Sequence, residues 1–476
     1  MAPVRNRRLV AAILALTAMA TGRARSAGPP APSLTLAPCA AEGAMKGAWC
    51  GSLPVPEDPG QPGGRTIALH VVVLRALSPT PASAPLFHLD GGPGVAASAV
   101  AGFYLGPGSD YRRTRDVVLV DQRGTGASNA LRCPALERRS PLDDYEPVEE
   151  VARCRGELEV RTDLRLYSTE NAAADLDRVR AALGYDRIDL WALSYGTRLA
   201  QVYIKSFGAH VRSAVLMGYA PLDYKAPLFH AAAAQRVLDL VLDGCQLDPD
   251  CAARYPDLRG EWRDLLSRLE RAPIMASAPD RPAREIRRGP FGEAIRTLLG
   301  TAAGQRRLPE IIHRAAAGDF TPFLAAVRTG PPGAEGLYFT IACSEGGARI
   351  TDGDVRPHTA GTFLGDYRVS RERAACAAWR TYPVADSFFT PPAAAPPVLV
   401  VSGGMDYVTP PDWAEAFCST LSSCRLLRVP ALGHGPFDLD EWTHGECLDA
   451  VMLGFYEHPA TIEPDCLRGM RPPPFR

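Results

Sequence analysis

The sequence predicts an α/β protein with a mostly parallel central sheet and an inserted block of helices. Short apolar runs such as Val398–Val401 have the length and continuity of strands buried on both faces of a parallel sheet. Residues 188–203 combine a strand-like run, a turn of small residues and a helical pattern. Strand-like runs stop after Asp223 and resume at Pro396, and the residues between them show helical spacing.

The first 27 residues have the pattern of a secretory signal peptide. Three arginines, at positions 5, 7 and 8, precede an apolar stretch from Leu9 to Ala20, and small residues follow it. This stretch is too short to span a bilayer, and no later segment reaches about eighteen apolar residues. We therefore expect an exported protein, secreted or periplasmic, that has no stable membrane insertion.

The rest of the chain divides into two parts of a core and an inserted lid. Residues 28–223 and residues 396–476 contain the strand-like runs and are assigned to the core. Residues 224–395 are assigned to a mostly helical lid, which would exclude water and bulky substrates from the sheet edge below it. The helices predicted in the lid are Ala231–Leu242, Leu258–Arg271, Glu293–Leu299, Leu308–Ala317, Pro322–Val327 and Arg371–Trp379.

Ser194 lies at the turn between the predicted strand and helix of residues 188–203. Such a turn presents a serine hydroxyl at the C-terminal edge of a sheet, in the arrangement called a nucleophile elbow. Ala192 stands at the first position of the usual Gly-x-Ser-x-Gly pattern and adds only one methyl group. Because a serine hydroxyl is a weak nucleophile on its own, the elbow predicts a histidine base and an acid later in the chain.

Two later loops supply these partners. Asp406 and His434 each follow a predicted strand, and the order Ser194, Asp406, His434 is that of the α/β-hydrolase fold. We expect His434 to accept the Ser194 proton and Asp406 to orient and stabilise the imidazolium. His444 and His458 also come late enough in the chain, but neither directly follows a strand.

An earlier loop, Gly91–Gly94, is predicted to bind the oxyanion. It follows an apolar run, and glycines let a backbone N–H approach a tetrahedral intermediate closely. The candidate donors are the N–H groups of Gly92 and of Tyr195, the residue after the nucleophile. The next loop, residues 121–128, is predicted to be scaffolding, with Arg123 holding the sheet edge and not the substrate.

These motifs resemble the proline-iminopeptidase-like branch of the α/β-hydrolases. The resemblance rests on GGPG at residues 91–94, DQRGTGAS at 121–128, SYGT at 194–197 and the loops of Asp406 and His434. The cysteine-rich chain is most similar to the secreted tripeptidyl aminopeptidases of actinobacteria and their mycobacterial relatives. The resemblance implies a serine hydrolase that cleaves short peptides from a free N-terminus. Iminopeptidases proper have a His where this chain has LDGGPG, so strict proline specificity is not implied.

The resemblance also implies a lid that selects short peptide substrates with a free amine. An ammonium group needs a carboxylate partner in a shielded pocket. Our candidate is Glu345, in a predicted loop over residues 341–345 that a Cys343–Cys376 disulfide would hold.

Twelve cysteines in an exported chain suggest disulfides. The sequence alone allows roughly ten thousand complete pairings, but local spacing suggests bridges between near neighbours. The suggested pairs are Cys39–Cys50, Cys133–Cys154, Cys245–Cys251, Cys343–Cys376, Cys418–Cys424 and Cys447–Cys466. Because no Cys-x-x-Cys pair or Cys/His cluster at zinc spacing occurs, no metal or other cofactor is predicted.

Composition and charge limit the classes of partner. The net charge of the 476 residues is −1, which argues against nucleic acid and anionic membranes as partners. We expect a monomer.

Two alternative functions remain. One is a secreted carboxylesterase or lipase with the same triad, which would prefer an apolar acyl pocket. The other is a binding protein of hydrolase fold without catalysis.

Overall fold

A nine-stranded, mostly parallel sheet is the central feature of the computed structural model. The structure describes residues 1, 34–39, 45–81, 83–137, 139–278, 281–328, 333–436, 445–462, 464–467, 470 and 474–475. The predicted signal peptide lies outside the described residues except for Met1. Ser33–Arg476 form one compact unit.

Eleven strands lie in the described ranges. In chain order they are β1 (Ala37–Pro38), β2 (Trp49–Pro56), β3 (Thr66–Leu74), β4 (Leu86–Leu89), β5 (Val117–Val120), β6 (Ile188–Leu193), β7 (Val211–Met217), β8 (Ile274–Ala278), β9 (Arg281–Ile286), β10 (Val398–Gly403) and β11 (Cys424–Val429).

The described α-helices are, in chain order, α1 (Ala101–Leu105), α2 (Pro134–Glu137), α3 (Val148–Glu159), α4 (Thr169–Ala182), α5 (Tyr195–Phe207), α6 (His230–Leu247), α7 (Pro249–Arg254), α8 (Leu258–Arg271), α9 (Arg288–Leu299), α10 (Ala302–Ala316), α11 (Thr321–Ala326), α12 (Glu335–Glu345), α13 (Asp352–Thr359), α14 (Tyr367–Trp379), α15 (Pro411–Ser419) and α16 (Gly445–Glu457). Short 3₁₀ turns cover Ala97–Val100, Ser109–Arg112, Leu164–Leu166, Gly208–His210, Gly347–Arg349, Asp386–Phe389 and Asp465–Leu467.

The strand order of the main sheet is β1-β2-β3-β5-β4-β6-β7-β10-β11. Neighbouring strands from β5 to β11 pair in parallel, whereas β1 to β3 form an antiparallel edge that joins β5. This sheet confirms the predicted fold class. Because parallel strands run the same way, the loops after β4, β6, β10 and β11 emerge at one edge.

The strands of this sheet are apolar on both faces because helices cover both. Successive side chains of a strand point to opposite faces, so neighbours such as Leu190 and Trp191 belong to different hydrophobic clusters. One cluster includes Leu176 of α4 and Leu199 of α5, and the other includes Tyr456 of α16. Burial on both faces explains the continuous apolar runs by which the sequence predicts these strands.

The segment between β7 and β10 is mostly helical, and each of its six predicted helices overlaps an observed one, namely α6, α8, α9, α10, α11 and α14. It has a hydrophobic cluster of its own, which includes Trp262, Phe291 and Phe323. The antiparallel hairpin of β8 and β9 was not expected from the sequence. Its strands are short, and among their described side chains only Ala276 and Ile286 are buried. The boundaries of the lid at residues 224 and 395 stay a prediction.

Six disulfides join the cysteines in the same pairs that local spacing suggests: Cys39–Cys50, Cys133–Cys154, Cys245–Cys251, Cys343–Cys376, Cys418–Cys424 and Cys447–Cys466. Cys343 and Cys376 fasten α12 to α14 within the lid. Within the described ranges, none of the helices combines the length and the apolar character that a membrane span requires.

Replacing Cys343 and Cys376 together by alanine is expected to lower the free energy of unfolding more than the same change at Cys418 and Cys424. The partners of the first bridge are 33 residues apart and those of the second are 6 apart. The entropy that a disulfide removes from the unfolded chain grows with loop length, so we expect losses of about 4 and about 2 kcal/mol. Urea unfolding of both variants measures them, and an equal or smaller loss for the first variant would contradict the expectation.

Candidate active site

Ser194 occupies a strained turn between β6 and α5. Its backbone has φ 55° and ψ −123°, a conformation that residues with a side chain rarely adopt. Neighbouring groups hold the turn, because the Ser194 N–H donates to Met217 O at 2.9 Å and the Ser194 carbonyl accepts from the Thr197 N–H at 2.8 Å. The turn therefore places the Ser194 side chain at the sheet edge, as the elbow pattern predicts.

Gly196, two residues after Ser194, cannot carry a side chain in this turn. A Cβ at this position would lie 2.1 Å from the carbonyl oxygen of Leu89 on β4. Ala192, where the usual pattern has glycine, is a buried residue of β6 in register with Leu89 and Leu216. The extra methyl of Ala192 thus fits inside the sheet, whereas the glycine after the nucleophile is a steric requirement.

The buried Asp406 and the partly buried His434 form a pair at the same edge. The Asp406 carboxylate lies 2.9 and 3.0 Å from His434 Nδ1, and it also accepts the N–H groups of Val408 and Thr409 at 2.8 Å each. Burial acts to raise the pKa of Asp406, but His434 and the hydrogen bonds from Thr409 outweigh it and hold that pKa below its ordinary value. Asp406 therefore stays ionised and orients the His434 ring.

His434 packs against Gly218, the residue that follows β7. Strand β7 pairs with β6, the strand that precedes Ser194. A Cβ on Gly218 would lie 3.1 Å from both Nδ1 and Cε1 of the His434 ring. The preceding residue, Met217, accepts the hydrogen bond from the Ser194 N–H. The structure thus places the three residues of the predicted triad around the ends of β6, β7 and β10.

The glycine loop Gly91–Gly94 lies against Ser194. A Cβ on Gly91 would lie 3.0 Å from the Cβ of Ser194 and 3.6 Å from its Oγ. Gly92 and Gly94 have φ values of 106° and 120°, in the region that favours glycine, and the Gly92–Pro93 peptide bond is cis. Tyr195 is the first residue of α5, so its N–H lies at the positive end of the helix dipole.

The loop after β5 is scaffolding, as the sequence predicts. Arg123 is fully buried and donates to both carboxylate oxygens of Asp175, at 2.7 and 3.0 Å. It also donates to the carbonyl oxygens of Glu57 and Leu166 at 2.8 Å. These bonds tie β5 to β2 and α4, and leave Arg123 away from the candidate active site.

A hydrogen bond joins the start of lid helix α12 to the glycine loop. The N–H of Ala334, the residue before α12, donates to Gly94 O at 3.0 Å. The next residue, Glu335, lines a cavity of about 150 Å³ together with Tyr145, Glu146 and Glu293. We call it the acidic cavity.

Two arginines pair with Glu293, and Arg139 also lines the acidic cavity, but one buried carboxylate oxygen has no partner. Glu293 is buried, and its Oε2 accepts from Arg368 at 2.7 Å and from Arg296 at 3.0 Å. Its Oε1 is buried without a hydrogen-bond partner. Burial together with the charges of Glu335 and Glu372 raises the pKa of Glu146 to about 8. A cation placed in the cavity would stabilise these groups.

A chain of contacts connects the acidic cavity to the triad. Arg296, which binds Glu293, lies over the ring of Tyr407 at 5.2 Å from the ring centroid. Tyr407 makes an edge-to-face contact with His434. Two side chains, those of Arg296 and Tyr407, therefore separate Glu293 of the cavity from His434.

The prediction for Glu345 is corrected. This residue does not lie in a loop but is the last residue of α12, and it is 1 % exposed. Its Oε2 accepts from Arg198 at 3.1 Å, and its Oε1 accepts from the Thr169 hydroxyl at 2.6 Å. Arg198 of the protein thus already pairs with this carboxylate, and a role of Glu345 in binding a substrate ammonium stays a prediction.

The sequence carried no clear signal for the residues of the acidic cavity. Glu146 lies in an acidic segment that is typical of a solvated surface, and Glu293 and Glu335 belong to separate helices of the lid. The sequence did not predict helix α12, because the helix lacks an amphipathic pattern. Its buried residues lie on more than one side and include Leu337, Phe339 and Ile341.

Two family models match the chain. Residues 85–242 match the model described as alpha/beta hydrolase fold, and this range contains the glycine loop and the elbow. The protein has the α/β-hydrolase fold. Residues 362–461 of this α/β-hydrolase match a model described as TAP-like protein, and this range contains Asp406 and His434.

Curated relatives of this α/β-hydrolase include two named peptidases. Serine protease Hip1 of Mycobacterium tuberculosis is 33 % identical over 190 residues, which are 36 % of each chain. Tripeptidyl aminopeptidase of Streptomyces lividans is 29 % identical over 218 residues, which are 42 % of this chain and 40 % of that protein. The matches thus span less than half of the length of these relatives.

Among solved structures, the proline iminopeptidase of Mycobacterium smegmatis is 18 % identical with a TM-score of 0.41. The match covers 86 % of this α/β-hydrolase and 98 % of that chain.

Gly196→Ala is expected to destabilise the α/β-hydrolase by more than about 2 kcal/mol, because the new methyl group overlaps the Leu89 carbonyl. Gly208→Ala is the matched control at the other end of α5, where the nearest atom to a new Cβ is 3.9 Å away. We expect that variant to stay within about 0.5 kcal/mol of the wild type. Urea unfolding compares the two, and equal stabilities would contradict the steric argument.

The pH dependence of stability tests the charge state of the acidic cavity. Between its ordinary value of 4.5 and its folded pKa of about 8, Glu146 keeps its proton in the folded protein and loses it in the unfolded chain. The free energy of unfolding contributed by this group therefore falls as pH rises through that range. Glu146→Gln removes the titrating group, so its free energy of unfolding should fall less between pH 5 and pH 8.

Urea unfolding at both pH values measures this difference. Glu157→Gln, on the exposed side of α3, is the control and should keep the wild-type slope. The same slope for Glu146→Gln as for the wild type would show that Glu146 titrates normally.

Proposed function

We propose that the protein is an exported serine aminopeptidase that releases short peptides from the free N-terminus of peptide substrates. The observation that carries this proposal is the acidic cavity, with its unpartnered Glu293 Oε1, beside a Ser-His-Asp constellation. The triad supports acyl transfer, and the cavity supports a positively charged end on the substrate. The relatives named as serine protease Hip1 and tripeptidyl aminopeptidase support a peptidase reaction.

In the proposed reaction, Ser194 attacks the carbonyl carbon of the scissile peptide bond. Because Asp406 holds Nδ1 of His434, Nε2 is the nitrogen that takes the Ser194 proton. The N–H groups of Gly92 and Tyr195 bind the oxyanion of the tetrahedral intermediate. His434 then returns the proton to the leaving amine, and a water molecule hydrolyses the acyl-enzyme by the same steps.

The substrate ammonium occupies the acidic cavity and supplies the missing positive charge. Its N–H groups satisfy the unpartnered Oε1 of Glu293, and its positive charge favours the ionised forms of Glu146 and Glu335. An ester with an uncharged acyl chain would leave the buried Oε1 of Glu293 without a hydrogen-bond donor. For this reason we favour a peptidase over a carboxylesterase or lipase that uses the same triad.

Export is supported by the predicted signal peptide and by the disulfides. Six disulfides in one chain are typical of proteins that fold in an oxidising compartment. The amino-terminal residues supply the predicted leader, with arginines before an apolar stretch. Detection of the mature chain, without residues 1–27, outside the cytoplasm of the producing cell tests this part of the proposal.

A panel of fluorogenic substrates of one, two or three residues, each with a free or an acetylated N-terminus, tests the activity. We expect hydrolysis of free-amine peptides, which Ser194→Ala abolishes, and the best chain length defines the released product. Preference for acyl esters over peptides would favour the esterase alternative. Failure of a fluorophosphonate probe to label Ser194 in the folded protein would favour a binding protein.

Glu335→Gln is expected to raise KM for free-amine peptides by about 10- to 100-fold, the effect of losing a hydrogen bond to a charged group. Hydrolysis of N-acetylated substrates should change little, because they carry no ammonium. Glu157→Gln serves as the control with the same chemical change at an exposed site. Equal losses on free and acetylated substrates would overturn the assignment of the acidic cavity to the amine.

A further inference from the structure

Glu345 is linked to two residues in the first turn of α5, Tyr195 and Arg198. Through the Thr169 hydroxyl, which lies 2.9 Å from the Tyr195 hydroxyl, it reaches the residue that follows Ser194. Through its ion pair with Arg198, it holds a second residue of the same turn. Glu345, Thr169, Tyr195 and Arg198 are all buried, so water does not compete for these bonds.

We propose that Glu345 is a positioning residue that keeps the Tyr195 N–H aimed at the oxyanion. The inference rests on the proposed function, in which Ser194 is the nucleophile. The Tyr195 hydroxyl and its backbone N–H belong to one residue at the start of a helix, so fixing the ring restrains the peptide group. An oxyanion donor acts through its placement, and a displacement of about 1 Å can cost about 100-fold in rate.

The turn needs such support because Ser194 is strained. A positive φ persists in a residue with a side chain only where the surroundings hold it. On the side of β6, the hydrogen bond from the Ser194 N–H to Met217 O restrains the turn. On the helix side, Arg198 donates to Leu222 O at 3.0 Å as well as to Glu345, which ties α5 to the segment after β7.

Helix α12 contacts both halves of the candidate oxyanion hole. Its amino-terminal end meets the glycine loop through the hydrogen bond from Ala334 to Gly94 O, and its carboxyl-terminal residue Glu345 holds Tyr195 through Thr169. The Cys343–Cys376 disulfide fastens the same helix to α14. The position of one lid helix thus sets the spacing of the two oxyanion donors.

Thr169→Val and Tyr195→Phe test the proposal because each removes the hydroxyl link and leaves the Glu345–Arg198 ion pair intact. Glu345→Gln is less suitable, since it leaves Arg198 buried without its carboxylate. We expect kcat to fall about 10- to 100-fold in each variant, with KM within about twofold of the wild type. The double variant should lose no more than the larger single effect, since both changes break one link.

A peptide trifluoromethyl ketone provides a second readout. Its adduct with Ser194 carries an oxyanion, so its affinity should fall by the same factor as kcat, whereas the affinity of the product peptide should not change. Tyr203→Phe is the matched control, because the Tyr203 hydroxyl also joins α5 to α4, through Asp177 at 3.0 Å, but two turns further along.

The outcomes separate this proposal from the proposed function. Unchanged kcat in Thr169→Val and Tyr195→Phe would overturn the positioning role, and so would an equal loss in Tyr203→Phe, which would indicate general packing of α4 on α5. Activity that survives Ser194→Ala would instead overturn the proposed function itself.

Discussion

The close approach of β4 to the elbow is the constraint on which the site depends. With Gly196 against the Leu89 carbonyl, the chain turns from β6 into α5 with Ser194 at a positive φ. The same approach sets the glycine loop after β4 against the Ser194 side chain. One steric condition therefore creates both the exposed hydroxyl and the space beside it for an oxyanion.

The parallel sheet brings the residues of the candidate triad to one edge. Strands that run in the same direction end at one edge, so loops far apart in the chain deliver Ser194, Asp406 and His434 to one place. Although burial acts to raise it, the pKa of Asp406 is held below its ordinary value by His434 and by the hydrogen bonds from Thr409. The hydrophobic layers on both faces of the sheet make this geometry rigid.

The lid places charged residues where most proteins place apolar ones. Arg198 and Glu345 form a closed pair, in which each neutralises the other away from water. The acidic cavity differs, since Arg368 and Arg296 share one oxygen of Glu293 and leave the other unpartnered. The two sites thus differ in how fully their buried carboxylate oxygens are partnered.

The sequence by itself determined the parallel strands, the order of the candidate triad, the glycine loop and the disulfide pairs, because each leaves a local pattern of apolar runs, small residues or short spacing. The surroundings of the acidic residues are visible only in the folded structure. Glu345 and Glu335 stand at the two ends of one helix, yet Arg198 neutralises the first, while the second faces other carboxylates. Such differences depend on which charges meet across distant segments, and spacing along the chain does not record them.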